Sequence, residues 1–173
     1  MTLFKNKYRV ETTRLQEYDY SSQGAYFITI CTKNRECLLG EIRDRGMVLN
    51  DLGVIVLKCW HDLPKHYTNI ILDEFVIMPN HIHGIIRIEN VETGLKPVST
   101  TTNRNKNHGL SEIVRALKTF SSRNINIIRQ VSGTPVWQSR FYERVIRNED
   151  ELNKIREYII NNPLNWEQDE NYI

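Results

Sequence analysis

The chain has 173 residues, 40% hydrophobic and 25% charged, the size and balance of one soluble globular domain able to bury a core. Its 23 Lys and Arg against 21 Asp and Glu leave a net charge of only +2, so bulk charge gives no argument for nucleic acid and only local clustering would. Three cysteines (Cys31, Cys37, Cys59) without zinc-ribbon spacing read as reduced thiols of a cytoplasmic protein. No signal peptide and no apolar run of about 18 residues argues for a membrane.

In chain order, residues 1–23 read as a polar arm with Lys5, Lys7, Arg9 and Arg14. Tyr26 to Thr32 is a dense run of β-formers, expected as a buried central strand. Cys37–Ile42 and Met47–Leu49, joined by Arg43-Asp44-Arg45-Gly46, predict an edge hairpin with Gly46 at the positive-φ position. Asn50 is placed to cap a helix running to about Leu63, with Leu52, Ile55, Cys59 and Leu63 as its apolar stripe and Pro64 ending it. Two strands, roughly 69–78 and 81–89, follow on either side of Pro79-Asn80. The polar stretch 91–108 reads as a flexible surface loop.

A second helix is expected over 110–129, with Leu110, Ile113, Val114, Leu117 and Phe120 inward and Arg115, Lys118 and Arg123 on another flank. Val136 to Ile146 reads as the last strand. The final helix has a well-marked start: Asn148 as cap, Glu151 at the third helical position and an acidic first turn. Leu152, Ile155 and Ile159 would be its buried stripe and Pro163 its stop. The order is βαββαβ, an α+β, ferredoxin-like antiparallel sheet with packed helices and an extra C-terminal helix, all in one domain spanning 1–173.

The chemistry concentrates in Met78-Pro79-Asn80-His81-Ile82-His83-Gly84. Alternation along a strand puts His81, His83 and Ile85 on one face and Ile82, Ile86 and Ile88 on the other. Two imidazoles so placed can converge on one metal ion, but equally form a hydrogen-bonded pair without metal. On the final helix Tyr158 and Asn162, four apart, share nearly one face. A phenol is a weak nucleophile at neutral pH and needs a metal or an organised proton acceptor. A tyrosine near a helix end is also a common packing residue.

Four blocks together carry a resemblance. They are Gly24-Ala25-Tyr26-Phe27-Ile28-Thr29, the histidine block, Trp137-Gln138 with Phe141 and Ile146-Arg147-Asn148, and Tyr158-Ile159-Ile160-Asn161-Asn162-Pro163. In this order, over about residues 9–166, the chain resembles the REP-associated tyrosine transposases (RAYTs) within the single-tyrosine HUH transposases. The resemblance implies a metal-dependent single-stranded DNA endonuclease and strand-transferase acting on hairpin-forming DNA. Tyr158 would form a 5′-phosphotyrosine, and His81, His83 and Asn162 would hold Mg²⁺ or Mn²⁺. As a DNA surface, Arg140, Tyr142 and Arg144 alternate on the last strand, joined by Arg115, Lys118, Trp137 and Arg147. Relatives of this kind include monomers and homodimers.

Two other readings stand beside it. One is a non-catalytic or domesticated nucleic-acid-binding module on a ferredoxin-like sheet. The other is a zinc hydrolase using His81 and His83, which lacks an obvious nearby carboxylate base, Glu89 being too far along the strand.

Overall fold

The computed structural model describes residues 3–4, 7–8, 22–89 and 108–173. Most of the expected arm over 1–23, and the expected loop over 91–108 apart from its last residue, lie outside the described residues. A short antiparallel ribbon, β1 (Leu3–Phe4) with β2 (Lys7–Tyr8), comes first. The β-former run is β3 (Gly24–Cys31), and it is central as expected. The edge hairpin is β4 (Gly40–Arg43) and β5 (Gly46–Leu49). Its turn departs from expectation: Asp44 and Arg45 hold the positive φ angles (48° and 63°), and Gly46 already belongs to β5. A two-residue hairpin loop needs left-handed backbone at both central positions, and Asp tolerates it better than most residues.

Helix α1 (Asp51–His66) starts where Asn50 accepts from the N–H groups of Leu52 and Gly53. It does not stop at Pro64 but carries it in the last turn, where the missing N–H costs only one bond near a frayed end. Its buried face is Val56, Trp60 and Leu63, rotated from the expected stripe; Leu52, Ile55 and Cys59 are only partly covered. The hairpin β6 (Ile70–Ile77) and β7 (His81–Ile88) follows, then α2 (Leu110–Ile128), β8 (Tyr142–Ile146) and α3 (Glu149–Asn161). In α2, Phe120 lies outside against His66, and Ser121 and Ile125 take the inward place expected of it.

β8 is much shorter than the predicted strand. Before it, Val136 accepts from Lys33 N–H, Gln138 N–H donates to Cys31 and the Trp137 indole N–H donates to Ser121. The two backbone bonds form an antiparallel bridge, Thr32 with Trp137, at the end of β3, and residues 139–141 leave the ladder between that bridge and β8. Lys118 Nζ also donates to the carbonyls of Gln138 (2.6 Å) and Ser139 (3.0 Å).

The four-stranded sheet runs β6–β7–β3–β8, every neighbour antiparallel, the ferredoxin-like order expected of a βαββαβ chain. Its two faces bury unequal cores. Tyr26, Ile28, Ile30, Ile82, Ile86 and Ile88 meet α1 and α2 in the large cluster. Phe27, Ile85 and Ile146 meet Leu152 and Ile159 of α3 in a much smaller one. Between Leu72 and Phe75 strand β6 bulges, Asp73 and Glu74 standing opposite the single residue Ile85 of β7.

Gly84 is needed on the large-core face. Trp60 stacks on Phe75 with ring centroids 4.2 Å apart, and a Cβ at Gly84 would lie 2.5 Å from the indole and 3.0 Å from Phe75. Both rings are rigid and Trp60 is buried, so they cannot yield cheaply. Gly84→Ala is therefore expected to destabilise the fold by about 1–3 kcal/mol, the range for overpacking a core, measured as a lower urea midpoint at unchanged slope. A midpoint equal to wild type would mean that Trp60 does not press on β7.

Candidate metal and nucleophile site

β7 lies inside the sheet, so the face carrying His81 and His83 is floored by β3 and roofed by α3. The pairing sets Thr29 opposite His83 and Cys31 opposite His81. Both imidazoles are almost wholly buried (0% and 2% exposed), with their Nε2 atoms 3.0 Å apart. Asn80 settles the tautomer of His81. Its amide NH₂ donates to the carbonyls of Arg35 (3.1 Å) and Asn171 (2.8 Å), so its Oδ1 accepts from His81 Nδ1–H at 2.8 Å. His81 Nε2 is then a bare lone pair aimed into the site. His83 Nδ1 meets the Thr29 hydroxyl at 2.8 Å, a group able to donate or accept. That hydroxyl suits either state of His83: Nε2–H donated to His81, or Nε2 bare beside it as a second ligand.

Burial, and after it the neighbouring His83, hold the His81 pKa down to about 3. His81 is therefore a neutral ligand throughout the physiological range.

α3 brings the other groups. Asn148 caps it through Glu151 N–H, and the Glu151 carboxylate accepts from Arg147 N–H, so the predicted start is the observed one. The helix ends at Asn161, yet Asn162 keeps helical angles (φ −59°, ψ −41°) before the 3₁₀ segment Pro163–Gln168. Proline restricts the residue before it, but here the chain tightens instead of breaking. Asn162 thus shares the face of Tyr158 and is 2% exposed, while Asn161 is only partly buried. The Asn162 Oδ1 is buried without a hydrogen-bond partner among the described residues.

The Tyr158 hydroxyl lies 3.3 Å from His83 Nε2. Its ring packs edge-on against Phe27 and His83, with centroids 6.1 and 5.2 Å away. Burial, then the nearby Asp169 charge, push its pKa up to about 12.

Asp169 escaped the sequence reading. The 3₁₀ segment turns the chain back, Asp169 N–H donating to Trp166, and Trp166 lies over His81 with ring centroids 5.9 Å apart. Asp169 Oδ2 then accepts from Asn162 Nδ2 (2.9 Å) and the Tyr158 hydroxyl (3.4 Å), and sits 3.9 and 4.0 Å from the two histidine Nε2 atoms. Its carboxyl is held well below the ordinary range. Burial works against that, but the nearby His83 imidazole and hydrogen bonds from Asn162 and Asn171 N–H outweigh it. No spacing rule links residue 169 to residue 81; the only sequence signal was an acidic stretch after the proline.

One neutral imidazole, a second beside it, a buried carboxylate and an orphaned amide oxygen form a donor set suited to a divalent cation. The facing Nε2 atoms of His81 and His83 and the carboxylate of Asp169 all lie within 4.8 Å of one another. An orphaned buried acceptor is costly without a partner, and a cation would satisfy it.

Beside this set opens a cleft of about 640 Å³ lined by His83, Tyr158, Arg35, Arg140, Tyr142 and Arg144, among others. Three of the residues expected to touch DNA therefore border the site. Arg115, Lys118 and Trp137 line a separate cleft of about 590 Å³ behind the 136–141 segment. Lys118 spends its ammonium on two carbonyls and Trp137 is 6% exposed, so its indole offers no free face for stacking. Arg147 precedes the α3 cap, its N–H bound to Glu151.

No family profile matches the chain. An uncharacterized protein of Haemophilus influenzae is 44% identical over 164 residues, covering 92% of this chain and 91% of its own. Among solved structures, a REP-associated tyrosine transposase bound to a REP hairpin superposes with a TM-score of 0.60 at 18% identity, over 90% of this chain and 74% of that one. The chain belongs to one protein family with the Haemophilus influenzae protein, and its fold is that of a REP-associated tyrosine transposase.

Proposed function

We propose that the protein is a metal-dependent enzyme that nicks and joins single-stranded, hairpin-forming DNA through Tyr158. The observation that carries this reading is the convergence on one point of a tyrosine hydroxyl, two histidines, an aspartate and an orphaned amide oxygen, at the edge of an arginine-lined cleft. The REP hairpin held by the transposase of the same fold supports DNA as the ligand class.

Tyr158 Oη attacks a scissile phosphorus. A bond forms from phosphorus to the phenolic oxygen, the bond to the 3′-oxygen breaks, and that oxygen takes up a proton. The products are a 5′-phosphotyrosine and a free 3′-hydroxyl; attack by a 3′-hydroxyl on the adduct reverses the step and joins strands. A phenol whose pKa stands near 12 surrenders its proton only with help, and with His83 Nε2 given to the cation the Asp169 carboxylate is the acceptor within reach. His81, His83, Asp169 and Asn162 would hold the cation, which supplies polarisation of a phosphoryl oxygen and fixes the phosphate for in-line attack. Two imidazoles favour Mn²⁺ over Mg²⁺ in such a set. Arg35, Arg140 and Arg144 would take the flanking phosphates, and Tyr142, 45% exposed, offers a stacking face.

Asp169 also supplies the carboxylate that a zinc hydrolase needs, and that reading remains the rival. A binding-only module is the other. Labelled hairpin DNA mixed with protein and Mn²⁺ on a denaturing gel separates the three, because only the first leaves a covalent protein–DNA band.

Tyr158→Phe removes one oxygen and almost no volume. It is expected to keep hairpin affinity within a few fold of wild type and to lose both cleavage and the covalent band. Cleavage surviving in Tyr158→Phe but lost in Tyr142→Phe would move the nucleophile to Tyr142.

For the metal, His81→Ala and His83→Ala are expected to abolish cleavage and weaken Mn²⁺ binding in calorimetry while sparing hairpin affinity. Asn162→Ala should raise the Mn²⁺ needed for half-maximal cleavage by roughly tenfold, the scale of losing one contact at a metal site, with high Mn²⁺ restoring part of the rate. Asn161→Ala should leave that requirement unchanged. Full cleavage in excess EDTA would defeat the assignment.

A further inference from the structure

Taking Tyr158 as the nucleophile, the structure assigns positioning roles to Arg156 and Asp73, a side-chain clamp outside the site that sets how α3 sits on the sheet. The pair is bidentate: Arg156 Nε donates to Asp73 Oδ1 at 2.8 Å and Nη2 to Oδ2 at 2.6 Å. Parallel bonds of this kind fix direction as well as distance. Both partners are themselves held. Arg156 also donates to Asn153 Oδ1 (3.1 Å) and lies 3.6 Å from Glu149, and Glu74 N–H donates to Asp73 Oδ1 at 2.8 Å.

Strand alternation explains why Asp73 is there: Leu72 packs on the large core, so Asp73 faces α3 as the bulge begins. Phe75 on its far side pairs with Gly84 and packs on Trp60, whereas Val76 belongs with the α3 face. The extra residue in the bulge returns Phe75 to the large-core face, so that Asp73 before it and Val76 after it both face α3. The Asp73 side chain is only 10% exposed, so the pair is shielded more than an ordinary surface bridge.

The helix geometry links this pair to chemistry. Arg156 and Tyr158 are two residues apart, about 200° around a helix, so they flank opposite sides of the Leu152–Ile155–Ile159 stripe. The stripe acts as an axle, with Arg156 tied to edge strand β6 and Tyr158 standing over β3 and His83. The apolar contact beneath is small, five buried residues shared between helix and sheet, and hydrophobic contact alone has little directional preference. A roll of α3 about that axle would shift the Tyr158 hydroxyl relative to His83 and Asp169, and Asn162 with it. No catalytic atom touches Arg156.

The test compares Arg156→Ala, Asp73→Ala and the double variant in the full chain. Each single variant is expected to lower the cleavage rate at saturating hairpin and Mn²⁺ by roughly tenfold to a hundredfold, the scale of an ångström-sized misplacement, with hairpin Kd unchanged. The double variant should lose no more than the worse single, because one clamp can be broken only once. Amide exchange should quicken in α3 in all three while the amides of α1 and the central strands keep wild-type protection. Wild-type cleavage rates in either single variant, or losses that multiply in the double, would overturn the clamp. Should the wild-type protein form no covalent adduct, the nuclease reading falls, and exchange alone then decides: unchanged α3 protection in the variants overturns the clamp, and selective loss sustains it.

Discussion

Strand β7 is covered on both faces, and the site depends on that. On one face Ile82, Gly84, Ile86 and Ile88 lie under α1 and α2; on the other His81, His83 and Ile85 lie under α3 and the chain that follows it. Exclusion of water keeps His81 unprotonated and holds two ring nitrogens 3.0 Å apart without solvent between them. Exposed on an edge strand, His81 would titrate near its ordinary value and both rings would turn freely. A dry site makes each hydrogen bond count, and Asn80 and Thr29 supply the bonds that orient the rings.

Asn80 does more than orient His81. Its amide joins the 3₁₀ turn after β3 through the Arg35 carbonyl and the C-terminal chain through the Asn171 carbonyl. Arg35 reaches the same C-terminal chain at the Glu170 carbonyl, and the Cys31 thiol donates to Asn171 Oδ1. One buried side chain thereby ties together the strand end, the tautomer of a ligand and the segment bearing Asp169. This is how an acid far along the chain reaches the histidines.

The two cores divide the labour. The larger, between sheet and paired helices, fixes the strands; the smaller, under α3, leaves the nucleophile helix resting on few apolar groups. Polar ties then carry the precision. Asn148 caps the helix start, Arg156 and Asp73 tie its flank, and Asn162 meets Asp169 at its end. Apolar burial gives affinity between layers without much direction, whereas hydrogen bonds give direction.

The sequence by itself determined what local physics controls. Strand alternation put His81 and His83 on the face away from Ile82 and Ile86, and the cap at Asn148 set the start of α3 and hence the shared face of Tyr158 and Asn162. The ferredoxin-like order followed from the string of elements, since hairpins and crossover helices allow few arrangements of four strands. Where local signals were weak the reading slipped: Phe120 faces outward, Pro64 stays inside α1, and residues 139–141 leave the sheet. Only the tertiary structure decided that Asp169 joins the histidines, that Trp137 is core, and that Asp73 meets Arg156 of α3. These contacts join residues far apart in the chain, and neither period nor propensity carries information about which distant side chain will close a site.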